Sequence, residues 1–177
     1  MFFYLDSKLA IIAMTRCGHT NMYHYFGMEP YTDYHEDMER VWDSWANHHN
    51  PIIVLRNPLD RVVSSMVHVV NHIGDPHAFF VQHSYLYLNE LAGVNFRIID
   101  FYDLEQYIPR RSDLIQSFTT FTTVDENTKP EDVYLENSAY TLCQFHQEVK
   151  LYKEAMNTHE RVSVEEWKEL TREINAN

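Results

Sequence analysis

The chain has 177 residues, of which 45% are hydrophobic and 14% aromatic, and it is predicted to form a single folded domain over residues 1–177. Its formal net charge of −12, from 26 acidic and 14 basic residues, argues against a nucleic-acid partner, because such binding depends on basic surface. No apolar stretch approaches the roughly 20 residues that cross a bilayer, and the first residues lack the pattern of a signal peptide. We therefore expect no membrane partner and a cytoplasmic location, where Cys17 and Cys143 would remain thiols.

Predicted strands alternate with predicted helices along the chain. The first half predicts a strand over 2–5, a turn at Asp6-Ser7, a strand over 8–14, a helix over 20–26 ended by Gly27, a short strand over 31–35, a helix over 36–46, a strand over 52–55 and a helix from Pro58. The second half predicts a helix over 76–91 ended by Gly93, a strand over 96–101, and helices near 104–107, 112–121, 138–156 and 164–174. This alternation is typical of an α/β fold, here a small parallel sheet flanked by helices.

Two of these helices carry apolar stripes that predict their buried faces. The helix from Pro58 places these residues on its stripe: Leu59, Val62, Val63, Met66, Val67 and Val70. In the helix over 36–46, Trp42 and Trp45 share one side with Met38 and Val41. We interpret the two tryptophans as packing residues rather than platforms on which a sugar stacks.

The loop after the second strand has the composition of an anion site. It reads Thr15-Arg16-Cys17-Gly18-His19-Thr20-Asn21 and leads into a helix, whose first N–H groups and dipole attract anions. Arg16 supplies charge, Gly18 lets the backbone approach a ligand, and Thr20 either caps the helix or bonds a phosphate oxygen. The alternative is an ordinary connection with a surface arginine. The Gly-Lys-Ser/Thr ending of the Walker pattern is absent, which argues against a nucleotide kinase.

A second motif follows the strand over 52–55. Arg56 ends the strand, Pro58 opens a helix, and Ser64 follows about two turns later. Ligands of open α/β sheets bind at the carboxyl ends of strands, so this motif presents a cation and a hydroxyl to a ligand. Arg61 either adds positive field there or forms a structural ion pair. Together the two motifs indicate a ligand with two separated anionic groups.

In order and spacing these motifs resemble those of sulfotransferases that use 3′-phosphoadenosine 5′-phosphosulfate (PAPS), most closely the carbohydrate sulfotransferases. Residues 15–20 resemble the family's 5′-phosphosulfate loop, Pro-Lys-x-Gly-x-Thr, and Arg56 through Ser64 is similar to its 3′-phosphate motif. Residues 96–104 are similar to a later strand and its Tyr-Glu-Asp-Leu turn. The resemblance implies a P-loop-like sulfotransferase fold, PAPS as donor, no metal, and an acceptor hydroxyl or amine of open class, carbohydrate included. The donor contacts that it implies are Arg16, Cys17, Gly18, His19, Thr20, Asn21, Arg56 and Ser64.

The resemblance also implies catalytic roles. The family's loop lysine, which stabilises the leaving phosphate, is Arg16 here, and the loop proline is Thr15. The family's general base lies between the two phosphate motifs, where His35 is our first candidate and Glu36 the second. The alternative for both is the solvated start of an acidic helix. Because Arg16 replaces the lysine, two functions stay open: sulfuryl transfer, and binding of a nucleotide or partner without transfer.

Histidines are numerous, and they raise the question of a metal site. His68 and His72 share a helix face at i,i+4 spacing. The sequence offers no obvious third ligand and lacks the glutamate of the His-Glu-x-x-His pattern, so we predict no metal site. The oligomeric state is left open.

Overall fold

The structure is a computed structural model that describes residues 2–14, 16–28, 38–72, 91, 93–109, 123–135, 141–172 and 174. The strands are β1 (Phe2–Leu5), β2 (Ala10–Ala13), β3 (Pro51–Leu55) and β4 (Arg97–Asp100). The helices are α1 (His19–Tyr25), α2 (Met38–Ala46), α3 (Pro58–His72), α4 (Leu104–Tyr107), α5 (Pro130–Val133), α6 (Leu142–Thr158) and α7 (Val164–Leu170), with a 3₁₀ turn over Phe101–Asp103. The predicted strand over 31–35 and the predicted helices over 76–91 and 112–121 lie outside the described residues, apart from Leu91.

The chain divides into two compact units. The first, which we call the sheet unit, comprises Met1–Leu55, Gly93–Ile115 and His159–Asn177. The second, the helical unit, comprises Arg56–Ala92 and Gln116–Thr158.

The described strands of the sheet unit form a four-stranded sheet in the order β1-β2-β3-β4. β1 runs antiparallel to β2, whereas β2, β3 and β4 are parallel, so that Ala13 lies opposite Val54 and Val54 opposite Ile99. Every residue of β2 and β3 is buried, as continuous apolar strands require. The prediction of an α/β fold with a small, mostly parallel sheet is confirmed, and the carboxyl ends of β2, β3 and β4 lie at the same edge of that sheet.

The turn between β1 and β2 is organised by the carboxylate of Asp6. Its Oδ1 accepts hydrogen bonds from the backbone N–H groups of Lys8 (2.7 Å) and Leu9 (2.8 Å), and its Oδ2 accepts one from the Tyr4 hydroxyl (2.9 Å). Burial alone would raise the pKa of Asp6, but these hydrogen bonds outweigh it and hold the pKa below the ordinary value. Burial, with the hydrogen bond to Asp6, raises the pKa of Tyr4 to about 12.

The two tryptophans of α2 pack in the core of the sheet unit. Both are buried, with their rings edge to face at a centroid distance of 5.5 Å. Trp45 Nε1 donates to the backbone oxygen of Ile52 on β3 at 2.9 Å, which fixes α2 against the sheet. The prediction that they are packing residues is confirmed.

A segment after α6 extends the sheet beyond β4. The N–H of Ile98 donates to the oxygen of Glu160 (2.9 Å), and the N–H of Val162 donates to the oxygen of Ile98 (3.0 Å). Arg161 forms an isolated parallel bridge with Ile98. This bridge shields part of an edge that would otherwise offer unpaired backbone groups.

In the helical unit, the described residues form α3, α5 and α6. Its core is Leu59 and Val62 of α3 with Phe145 and Val149 of α6. The predicted stripe of α3 is wrong at Val67, which is 41% exposed. Polar residues of the first three turns are buried instead: Asp60, Arg61, Ser64 and Ser65. The sequence did not predict α5, which begins with Pro130 at a first-turn position that tolerates proline.

Candidate functional site

The loop after β2 makes a tight turn and leads into α1. The N–H of Cys17 donates to the oxygen of Met14 at 2.9 Å, which closes the turn. Gly18, at φ 81°, is the N-cap residue of α1, and the N–H of Met22 donates back to its oxygen at 3.1 Å. The helix therefore begins at His19, one residue before the predicted start.

Arg16 has an unusual backbone conformation. Its φ is 65°, the only positive value found among the non-glycine residues that the structure describes. This left-handed region costs an L-residue roughly 1–2 kcal/mol relative to glycine, and such outliers often mark functional sites. Its side chain is partly exposed. A turn that glycine would make at less cost thus carries a cation.

Gly18 also has a packing role, beside the predicted one of letting the backbone approach a ligand. A Cβ atom at this position would lie 2.3 Å from Cδ2 of Leu104 and 3.8 Å from Cδ2 of Phe101. The space beside Gly18 is therefore filled by the turn after β4. A larger residue here would have to displace the Leu104 side chain, whether or not a ligand binds.

The remaining loop residues differ in how much they offer a ligand. Cys17 is a buried thiol that is not part of a disulfide, and its N–H is already used within the turn. His19 and Thr20 are partly exposed, and the His19 ring lies edge to face with Tyr23 at 6.5 Å. Asn21 Oδ1 is buried with no hydrogen-bond donor among the described residues.

The second motif begins the helical unit. The Asn57 side chain accepts a hydrogen bond from the N–H of Leu59 (3.0 Å), and its backbone oxygen accepts from the N–H of Arg61 (2.9 Å). Asn57 is thus the cap of α3, and Pro58 occupies the first helical position, as predicted. Arg56 and Ser64 are each 5% exposed. Ser64 lies roughly 9 Å along the helix axis from Pro58, at 1.5 Å per residue.

Of the two alternatives for Arg61, the structure has the ion pair. Arg61 Nη2 lies 3.2 Å from Glu148 Oε1 of α6, within the helical unit. Nearby on α3, Asp60 Oδ1 accepts a hydrogen bond from the N–H of Val124 at 2.6 Å. The start of α3 therefore combines buried charges of both signs.

The turn after β4 is capped by Asp100. Its carboxylate accepts from the N–H of Tyr102 (3.1 Å) and lies 3.4 Å from Arg161 Nη1. Burial raises the pKa of Asp100, and the nearby charge of Asp103 adds to this, whereas the Tyr102 hydrogen bond and Arg161 oppose it. The turn that packs beside Gly18 is therefore held by Asp100 from within and by the ion pair with Arg161.

The predicted site residues fall into three groups. Those of the loop, Arg16 to Asn21, lie together in the sheet unit, and Arg56 and Ser64 lie in the helical unit. The candidate bases His35 and Glu36 lie outside the described residues. Glu148 was missed, although its place between Phe145 and Val149 on the buried side of α6 could have indicated a paired carboxylate.

Within the part of the chain that the structure describes, no helix is long and apolar enough to cross a membrane. In the same residues, no three His, Cys, Asp or Glu side chains are grouped as metal ligands would be. No protein-family model, curated protein or solved structure matches this chain.

Proposed function

We propose that this chain is a PAPS-dependent sulfotransferase with a P-loop-like fold, which moves a sulfuryl group to a hydroxyl or amine acceptor. One observation carries the proposal. β2 and β3 are adjacent parallel strands, and each is followed directly in the chain by an arginine-bearing turn that leads into a helix. Open α/β sheets bind their ligands beyond the carboxyl ends of such strands.

The 5′-phosphosulfate is assigned to the loop after β2. Arg16 supplies the cation. The first-turn N–H groups of α1 point out of the N-terminal end of the helix, where they can donate to an anion. Gly18, the N-cap residue, has no side chain with which to cap them. The Thr20 hydroxyl can donate to a phosphate oxygen, and a 180° turn of the Asn21 amide would place a donor where its buried oxygen now lies. These groups suit an anion, whereas the N–H of Cys17 does not contribute.

The 3′-phosphate is assigned to Arg56 and Ser64. A guanidinium binds phosphate through two parallel hydrogen bonds, and a hydroxyl adds one more. The low exposure of both side chains favours this role, because a charged hydrogen bond strengthens where water is excluded. Asn57 and Pro58, which lie between them in the motif, serve the start of α3.

Sulfuryl transfer resembles phosphoryl transfer in depending on positioning and charge stabilisation. Arg16 would stabilise the charge that develops on the leaving phosphate, in the role of the family's lysine. His35, or else Glu36, would take the acceptor's proton. We assign the protein to the cytoplasm, in keeping with two cysteines that remain thiols.

The direct test is transfer of labelled sulfate from PAPS to a panel of saccharide, amine and simple alcohol acceptors. We expect transfer by the wild type, activity retained or raised in Arg16→Lys, and turnover lowered more than donor affinity in Arg16→Ala. Tight binding of PAPS with no transfer to any acceptor would support the nucleotide-binding alternative. Absence of both binding and transfer would contradict the proposal.

A further inference from the structure

Arg61, which lies between Arg56 and Ser64 in the chain, forms a buried ion pair with Glu148. Arg61 Nη2 and Glu148 Oε1 are 3.2 Å apart, and each side chain is 3% exposed. Because Arg61 belongs to α3 and Glu148 to α6, the pair connects the two helices that form the core of the helical unit.

The stability of the helix packing does not account for this pair. In α3, Arg61 is flanked in sequence by Leu59 and Val62. These two residues pack with Phe145 and Val149 of α6. Taking two charges out of water is costly, and replacement of a buried ion pair by apolar residues of similar volume is often neutral or stabilising. The best-attested use of such a pair is to fix register.

The register of α3 also determines where Ser64 lies. Ser64 follows Arg61 by three residues, so the two side chains lie on the same face of α3, about one turn apart. Apolar contacts tolerate small rotations and sliding of a helix, whereas a hydrogen-bonded ion pair is directional. An ion pair that holds α3 in one rotation and register therefore also holds the Cβ atom of Ser64 in one position, from which its hydroxyl can reach a ligand.

We propose that Arg61 and Glu148 are positioning residues, which hold α3 so that Ser64 meets the 3′-phosphate of the nucleotide; this inference rests on the proposed function. They do not touch the phosphate themselves. Glu148 also balances the charge of Arg61, so that the preference for a 3′-phosphorylated nucleotide comes from Arg56 and Ser64.

The test compares binding of 3′-phosphoadenosine 5′-phosphate with that of adenosine 5′-phosphate, measured by calorimetry on the full chain. The ratio of the two affinities reports on the 3′-phosphate alone. In the double variant Arg61→Met with Glu148→Leu, we expect a melting temperature at or above that of the wild type and a ratio about tenfold lower, the scale of one misaligned charged hydrogen bond.

Two further variants separate positioning from other roles. Glu148→Asp keeps both charges but shortens the reach of the carboxylate. We expect the affinity ratio to fall about threefold, because the hydrogen bond between Ser64 and the 3′-phosphate would be partly lost. Val62→Ala leaves the ion pair in place and opens a cavity beside it. It should lower the melting temperature and leave the ratio unchanged.

Each alternative result overturns the inference in a recognisable way. An unchanged ratio in the folded double variant would make the pair purely structural. A ratio raised by Glu148→Asp would make Arg61 a direct phosphate ligand. Failure of the double variant to fold would contradict the premise that apolar contacts suffice. A wild type that binds both nucleotides equally would remove the proposed function and this inference together.

Discussion

At the scale of single residues, Arg16 combines a backbone conformation that is unfavourable for folding with a side chain that we assign to function. Glycine adopts φ 65° at little cost, whereas any residue with a Cβ atom is strained there. An arginine at this position therefore lowers the stability of the fold, and the proposed role of its side chain in function explains why it is there. The sequence predicted the charge of this loop but not its conformation.

Two substitutions at Arg16 test this separation. Arg16→Gly and Arg16→Ala both remove the guanidinium, but only glycine relieves the backbone. We expect the free energy of unfolding, measured by urea titration, to be about 1 kcal/mol higher for Arg16→Gly than for Arg16→Ala. Both variants should lower sulfuryl transfer to the same extent. Equal stabilities would show that the left-handed turn carries no strain.

Gly18 is tested by comparison with Gly27, which serves as a matched control. Both have positive φ values, 81° and 63°, but a Cβ atom would meet Leu104 at Gly18 and nothing within 4 Å at Gly27. We expect Gly18→Ala to lower the free energy of unfolding by about 2–4 kcal/mol and Gly27→Ala by about 1 kcal/mol. Similar losses in the two variants would contradict the packing role of Gly18.

At the scale of elements, the β1–β2 turn depends on an ionised carboxylate. Because the pKa of Asp6 lies below its ordinary value of 3.8, the carboxylate contributes stability that is complete above that value. The contribution is lost as the pH falls through the lowered pKa. Asp6→Asn keeps the shape but removes the charge.

We expect Asp6→Asn to reduce the free energy of unfolding at neutral pH by about 1 kcal/mol, a low figure because the turn is partly exposed. The difference from the wild type should shrink as the pH falls below 3.8. Urea titrations across this range measure it. A difference that stays constant at low pH would show that the charge of Asp6 does not stabilise the turn.

The elements also show how far a sequence pattern predicts a buried face. The apolar runs of β2 and β3 were sufficient to predict two buried parallel strands, because both faces of a central strand are covered. The face of α3 was only partly predictable. Its buried positions include Asp60 and Arg61, whose partners Val124 and Glu148 come from segments more than sixty residues later in the chain. A local pattern carries no information about partners that distant.

At the scale of the whole molecule, the order of the described strands and of every described helix except α5 was predictable, because strands with continuous apolar runs alternate with helical patterns. The position of each arginine after its strand was likewise visible in the sequence. The left-handed Arg16, the contact between Gly18 and Leu104, and the ion pair of Arg61 depend on how distant segments pack. Sequence order alone does not specify that packing.

The central claim is that this chain recognises a nucleotide by two separated anionic groups, with Arg56 bound to the 3′-phosphate. The most direct measurement is calorimetric binding of PAPS and of adenosine 5′-phosphosulfate, which differ only in that phosphate, to the wild type and to Arg56→Ala. Thermal melting of each variant shows that it is folded. We expect Arg56→Ala to weaken PAPS binding by roughly 1.5–3 kcal/mol and to leave the binding of adenosine 5′-phosphosulfate unchanged. Equal losses for the two nucleotides in a folded variant, or no binding of PAPS by the wild type, would contradict it.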